Sequence, residues 1–150
     1  MRTVSTSSLA ATMVEFARLS SDPITLEECR SAVASDDSGA IVSFAGIVRD
    51  HDGGRVVGSL DYEAHPSAEG VLSAVAESVA TAFPGVRIAI AHRIGSLAVG
   101  DLALACAVSS AHRADAFAAC SRLVDEVKAR VPIWKEQHFA DGTSEWVGSL

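Results

Sequence analysis

The stretch from Leu102 to Gln137 constrains the fold more than any other part of the chain, because three segments of different hydrophobic period follow one another without a break. Leu102–Val108 is a run of small and medium apolar residues without charge, the pattern of a strand buried in a sheet. Phe117, Cys120, Val124, Val127 and Val131 then recur at helical spacing, with Ser109 and Ser110 as candidate caps. Pro132 interrupts the helical ladder, and Ile133–Phe139 reads as extended. A buried strand, a helix and a returning strand in succession call for a sheet with helices packed on it.

The remaining segments extend that plan. Val14–Leu19 reads as a short strand, and Leu26–Ala34 as a helix capped by Thr25 with Glu27 and Glu28 in its first turn. Gly39–Val48 is expected inside the sheet, since Ile41, Val42, Phe44 and Ile47 make it apolar on both sides. The Gly53-Gly54 turn leads into Arg55–Glu63, with Val56, Leu60 and Tyr62 expected on one face. Ser67–Phe83 has helical spacing and ends at Pro84-Gly85. Val86–Ile94 alternates, with Val86, Ile88, Ile90, His92 and Ile94 on one face and Arg87 and Arg93 on the other. Gly95–Asp101 reads as a loop, Asp141-Gly142 as a turn and Glu145–Val147 as a last short strand. The expected class is α+β, with helices on a mostly antiparallel or mixed sheet: one domain over residues 14–150 after a flexible tail, 1–13.

Composition narrows the function. A chain of 150 residues, 49% hydrophobic, can bury a sizeable core in one domain. Its formal charge of −7 argues against a general nucleic-acid or membrane-surface binder. No apolar run is long enough to span a bilayer and the N-terminus lacks a secretory core, so a cytoplasmic location is expected. Cys29, Cys106 and Cys120 form no metal-binding or disulfide pattern, and the last two are expected to be buried and inert. The Asp50-His51-Asp52 loop mixes carboxylates with a histidine, but Gly53-Gly54 marks it as a strand connection and no metal is assigned. Nucleotide-binding glycine motifs and a G-x-S-x-G elbow are missing, and a phosphate-ester hydrolase would lack a visible nucleophile.

The positive charges are more informative. Lys128 and Lys135 are the only lysines, seven positions apart, in a chain that otherwise uses arginine. Lys128 falls near the edge of the helix's apolar stripe, where partial burial and cations such as Arg130 would lower its pKa and let it exchange protons near neutrality. The plainer reading is that basic residues in a last turn complement the helix dipole and snorkel into water. His112 and Arg113 stand at the start of the same helix, where backbone N–H groups favour an anion. His92, at an inward strand position, reads more readily as a hydrogen-bonded core histidine than as a catalyst.

Five blocks occur in unbroken order: G-A-I-V-S-F-A-G-I-V-R at Gly39–Arg49, H-R-I-G at His92–Gly95, V-G-D at Val99–Asp101, S-A-H-R at Ser110–Arg113 and K-A-R-V-P-I-W-K at Lys128–Lys135. Together they resemble the large, catalytic subunit of molybdopterin synthase, the MoaE family. The resemblance implies an α/β hammerhead-type fold and a homodimer within a heterotetramer that includes two small ubiquitin-like sulfur-carrier subunits. The small subunit's C-terminal Gly-Gly thiocarboxylate would donate sulfur to cyclic pyranopterin monophosphate, forming the dithiolene of molybdopterin without a cofactor for that step. On the family pattern Lys128 and Lys135 are catalytic, while Arg49, His112 and Arg113 hold substrate, the His-Arg pair reaching across from the other protomer. Ile47 and Val48, and Glu136 and Gln137 after the second lysine, would also line the substrate site. Glu136 and Gln137 replace the family's usual basic residue and Glu, and the segment after Trp146 is shorter than the family tail. The alternative is a non-catalytic dimeric module that binds a phosphorylated small molecule or a partner's C-terminal tail.

Overall fold

The structure, a computed structural model, describes residues 13–148. The expected flexible tail therefore lies, apart from Met13, outside the described residues.

Four strands form a mixed sheet: β1 (Val14–Ser20), β5 (Arg87–Arg93), β7 (Leu102–Ser110) and β2 (Ala40–Ile47), in that spatial order. β1 runs parallel to β5, and the other pairs are antiparallel. The two central strands alternate large and small residues, and this alternation sorts the layers. Ile88, Ile90, Leu104, Cys106 and Val108 face α2 (Ala68–Ala82) and α3 (Arg113–Arg130), forming the larger core with Leu72, Val75, Val79, Leu123 and Val127. Ala89, Ala91, Ala105 and Ala107 face the other way, and their small side chains let α1 (Leu26–Val33) approach closely through Cys29 and Val33. α1 starts as expected, with Thr25 and Glu28 making a reciprocal capping box.

The second sheet is antiparallel. The long strand β4 (Arg55–Ala64) carries β3 (His51–Asp52) and then β6 (Gly95–Ala98) along one edge. β8 (Ile133–Phe139) lies along its other edge, followed by β9 (Ser144–Val147). Gly53 and Gly54 have φ of 58° and 79°, so the β3–β4 turn needs two left-handed residues, which glycine adopts without strain. The α+β class and the mixed sheet with packed helices are as expected.

Several local expectations are corrected. Gly95–Ala98 is a strand rather than loop, because β4 offers it a free edge. β2 is an edge strand rather than an interior one, and Ile41 and Ile47 are 40% and 54% exposed. Val56 does not share the inward face of Leu60: Val57 pairs with Phe139 and Ser59 with His138, so Gly58 is an extra residue that flips side-chain parity. Val57 is buried and Val56 points out. Phe117, expected on the inner stripe of α3, is 60% exposed, since this helix buries its alanine-rich side, Ala116, Ala119 and Cys120, in its first half. Ser109 and Ser110 end β7 instead of capping α3; Ser109 Oγ donates to the Val33 carbonyl at 2.6 Å, and His112 is the N-cap. All three cysteines are buried, and Cys106 and Cys120 lie with their sulfurs 3.9 Å apart.

Candidate active site

α3 ends at Arg130 because the chain must turn before Pro132, and that reversal starts β8. Strand alternation then turns Ile133, Lys135, Gln137 and Phe139 inward and leaves Trp134 exposed on the other face. Lys128 lies in the last turn of α3. The turn at Pro132 therefore brings both amines to one place from opposite sides.

That place is a cavity of about 220 Å³ at the junction of the two sheets. Gly46 and Ile47 from β2 and Ala103 and Leu104 from β7 supply its apolar wall. Tyr62 of β4 and His92 of β5 form its inner end, and Arg49, Lys128 and Lys135 bring positive charge. Tyr62 stands opposite Lys135 in the β4–β8 register, so both side chains share one face of the sheet. The Tyr62 and His92 rings meet edge to face, with centroids 5.0 Å apart.

The electrostatics differ from the sequence expectation in one respect. Lys128 is exposed, and it is Lys135 that is partly buried. Burial lowers the pKa of Lys135, Asp52 opposes this, and the Lys128 and Arg49 charges lower it further. Asp52 is held in turn by Gln137, whose Nε2 donates to Oδ2 at 2.8 Å, and by Arg49 at 3.7 Å. These contacts, the Gln137 hydrogen bond foremost, keep its carboxyl below the usual carboxylate range. His92 is 2% exposed, and burial pulls its pKa down to about 4, so the ring is neutral at pH 7.

The other expected site residues lie around this cavity or far from it. Val48 is buried, its backbone bonded to Asp101 and Gly100 rather than lining the space. Glu136 faces outward and accepts a hydrogen bond from Ser144 Oγ at 2.8 Å, while Gln137 acts through Asp52. His112 and Arg113 are exposed at the opposite end of α3, about 22 Å from Lys128 at 1.5 Å per residue. Within one chain they do not reach the cavity.

For metals, the Asp50-His51-Asp52 loop disperses its donors: His51 Nδ1 pairs with Asp50 at 2.8 Å, and Asp52 turns to Gln137. Asp61, Glu136 and His138, on the outer face of the second sheet, do bring one ligand-type atom each within 4.8 Å of one another. Their polar atoms already serve each other, with His138 Nε2 2.7 Å from Asp61 Oδ2.

A family model described as MoaE protein matches residues 19–130. The chain belongs to the MoaE family. It is 40% identical to molybdopterin synthase catalytic subunit 1 of Mycobacterium tuberculosis, over 89% of this chain and 90% of that one. It is 41% identical to the molybdopterin synthase catalytic subunit of a Nostoc species, over 83% and 77% of the two chains. The crystal structure of molybdopterin synthase from Staphylococcus aureus superposes with a TM-score of 0.82 at 37% identity, covering 87% of this chain and 95% of that one. The five sequence blocks and the comparisons therefore point to the same family.

In this MoaE chain, sequence reasoning passed over Tyr62 and His92 as lining of the cavity and Asp52 as the carboxylate that acts on Lys135. Tyr62 carried no signal beyond its alternation. His92 did carry one, a polar ring at an inward position of an apolar strand next to Arg93. Asp52 was weighed only as a metal ligand, because its partner Gln137 is 85 residues away in the chain.

Proposed function

We propose that this chain is the catalytic subunit of a molybdopterin synthase, acting as a single domain over residues 14–150. It transfers sulfur from the C-terminal thiocarboxylate of a small ubiquitin-like subunit ending in Gly-Gly to cyclic pyranopterin monophosphate, and two transfers make the dithiolene. The names of its curated relatives support this reading. The observation that carries it is the convergence of Arg49, Lys128 and Lys135 on one cavity in a protein of net charge −7.

Both reactants are anions, and these cations bind them and stabilise negative charge as sulfur changes partners. Lysine suits the task because a partly buried amine can give up its proton, whereas arginine does not. Lys135 has that burial, and Lys128 stands beside it as the exposed charge. Ile47 supplies apolar wall, Val48 and Gln137 support the cations' surroundings, and Glu136 lies behind β8. In a homodimer, His112 and Arg113 of one protomer complete the cavity of the other, joining the small subunits in a heterotetramer. The reaction belongs in the cytoplasm; no described helix is long and apolar enough to cross a membrane, and the three cysteines are free thiols.

The test is reconstitution with a thiocarboxylated Gly-Gly-ended partner and the cyclic pterin, reading dithiolene product. Lys128→Ala is expected to reduce turnover at least about 100-fold with the fold intact; undiminished turnover would refute the assignment. Lys135→Arg keeps the charge but not the labile proton, and full activity in that variant would favour a binding role alone.

A further inference from the structure

His92 lines the cavity, yet the reaction as derived above gives it no task. Its Nδ1 lies 2.6 Å from the carbonyl oxygen of Arg93, an atom that only accepts, so Nδ1 carries the ring's proton. Nε2 is left with its lone pair, and among the described residues nothing donates to it. The ring is 2% exposed and braced by Tyr62, so it cannot swing out to find a partner. Burial keeps it neutral, and the Lys128 charge acts in the same direction. The cavity thus combines two chemistries: cations that take an anion of any shape, and one fixed acceptor at the inner end that an anion alone cannot satisfy.

We propose that His92 is a specificity determinant, its Nε2 accepting a hydrogen bond from an N–H donor on the ring system of a phosphorylated heterocycle bound in this cavity. The inference rests on the proposed function, since the fused ring of a reduced pterin carries N–H groups as well as a phosphate. A ligand with a donor at this point pairs the cavity-facing nitrogen; one without it covers the nitrogen and leaves it unpaired. Inorganic phosphate, held by the cations alone, is indifferent to His92.

Three variants separate these effects. His92→Asn retains an amide N–H for the Arg93 carbonyl and presents nothing where Nε2 was; His92→Phe keeps a ring without nitrogen; His92→Gln offers a carbonyl oxygen close to the Nε2 position. Calorimetric binding of the cyclic pterin, with inorganic phosphate as second probe, and KM and kcat in the reconstituted reaction are the readouts. His92→Asn and His92→Phe are expected to weaken pterin binding and raise KM on the order of tenfold. Phosphate affinity is expected to change less than about twofold, and His92→Gln to recover most of the loss. Wild-type pterin affinity in a folded His92→Asn protein would overturn the proposal. Equal weakening of phosphate and pterin would also overturn it, because His92 would then only shape the cavity. A wild-type protein that makes dithiolene while His92→Asn matches it sinks this inference alone; a wild-type protein that binds no pterin sinks the proposed function itself.

Discussion

Because Lys128 and Lys135 are the only lysines in the sequence, a sample labelled with carbon-13 at lysine Cε shows two resonances, and Lys128→Arg assigns them. Lys135 is expected to lose its proton below the ordinary lysine value of 10.5, since burial disfavours the ammonium form. Asp52 is the carboxylate that opposes this. Asp52→Asn removes the charge while leaving an amide oxygen for Gln137, so the pKa of Lys135 should fall further. Asp52 is 39% exposed and Lys135 only partly buried. Solvent screening of such a pair keeps the fall small. Arg49→Gln removes a cation that lowers the same pKa and should raise it, by less than Asp52→Asn lowers it. The opposed signs matter, because a loosened structure would carry Lys135 toward 10.5 in both variants. Titration of Lys135 at or above its ordinary value, or shifts of the same sign, would refute the electrostatic account.

Other expectations follow from the same geometry. Mixing equal amounts of Lys128→Ala and Arg113→Ala chains should restore roughly a quarter of wild-type turnover by random pairing of protomers; no recovery above the single variants would exclude a cavity shared between chains. Gly39→Ala should destabilise the fold by about 1–3 kcal/mol in urea, because a Cβ there would stand 2.5 Å from the Ala111 carbonyl oxygen. Thr25→Ala should cost about 1 kcal/mol by loss of the capping box of α1, read as a lowered denaturation midpoint with an unchanged slope.

How far the fold could be read from the chain depended on how local the cause was. Thr25 with Glu28, the alternation of Val86–Ile94 and the stop at Pro132 act over a few residues, and the elements they imply are the ones observed. Gly58 illustrates the opposite case. Its role as an extra residue exists only in the register between β4 and β8, so the Val56 side chain could not be assigned a face in advance. Phe117 and Ile41 look like core residues by type, yet α3 and the edge strand β2 leave them exposed.

By itself the sequence determined the family, through five blocks in fixed order, and the elements that carry Arg49, Lys128 and Lys135. It did not determine which amine would be partly buried, because desolvation depends on walls contributed by Tyr62, His92 and Leu104, distant in the chain and adjacent only after folding. Only the tertiary structure placed Lys135 in that shelter with Asp52 to oppose it, left Lys128 exposed, and put His112 and Arg113 beyond reach at the far end of a rigid helix.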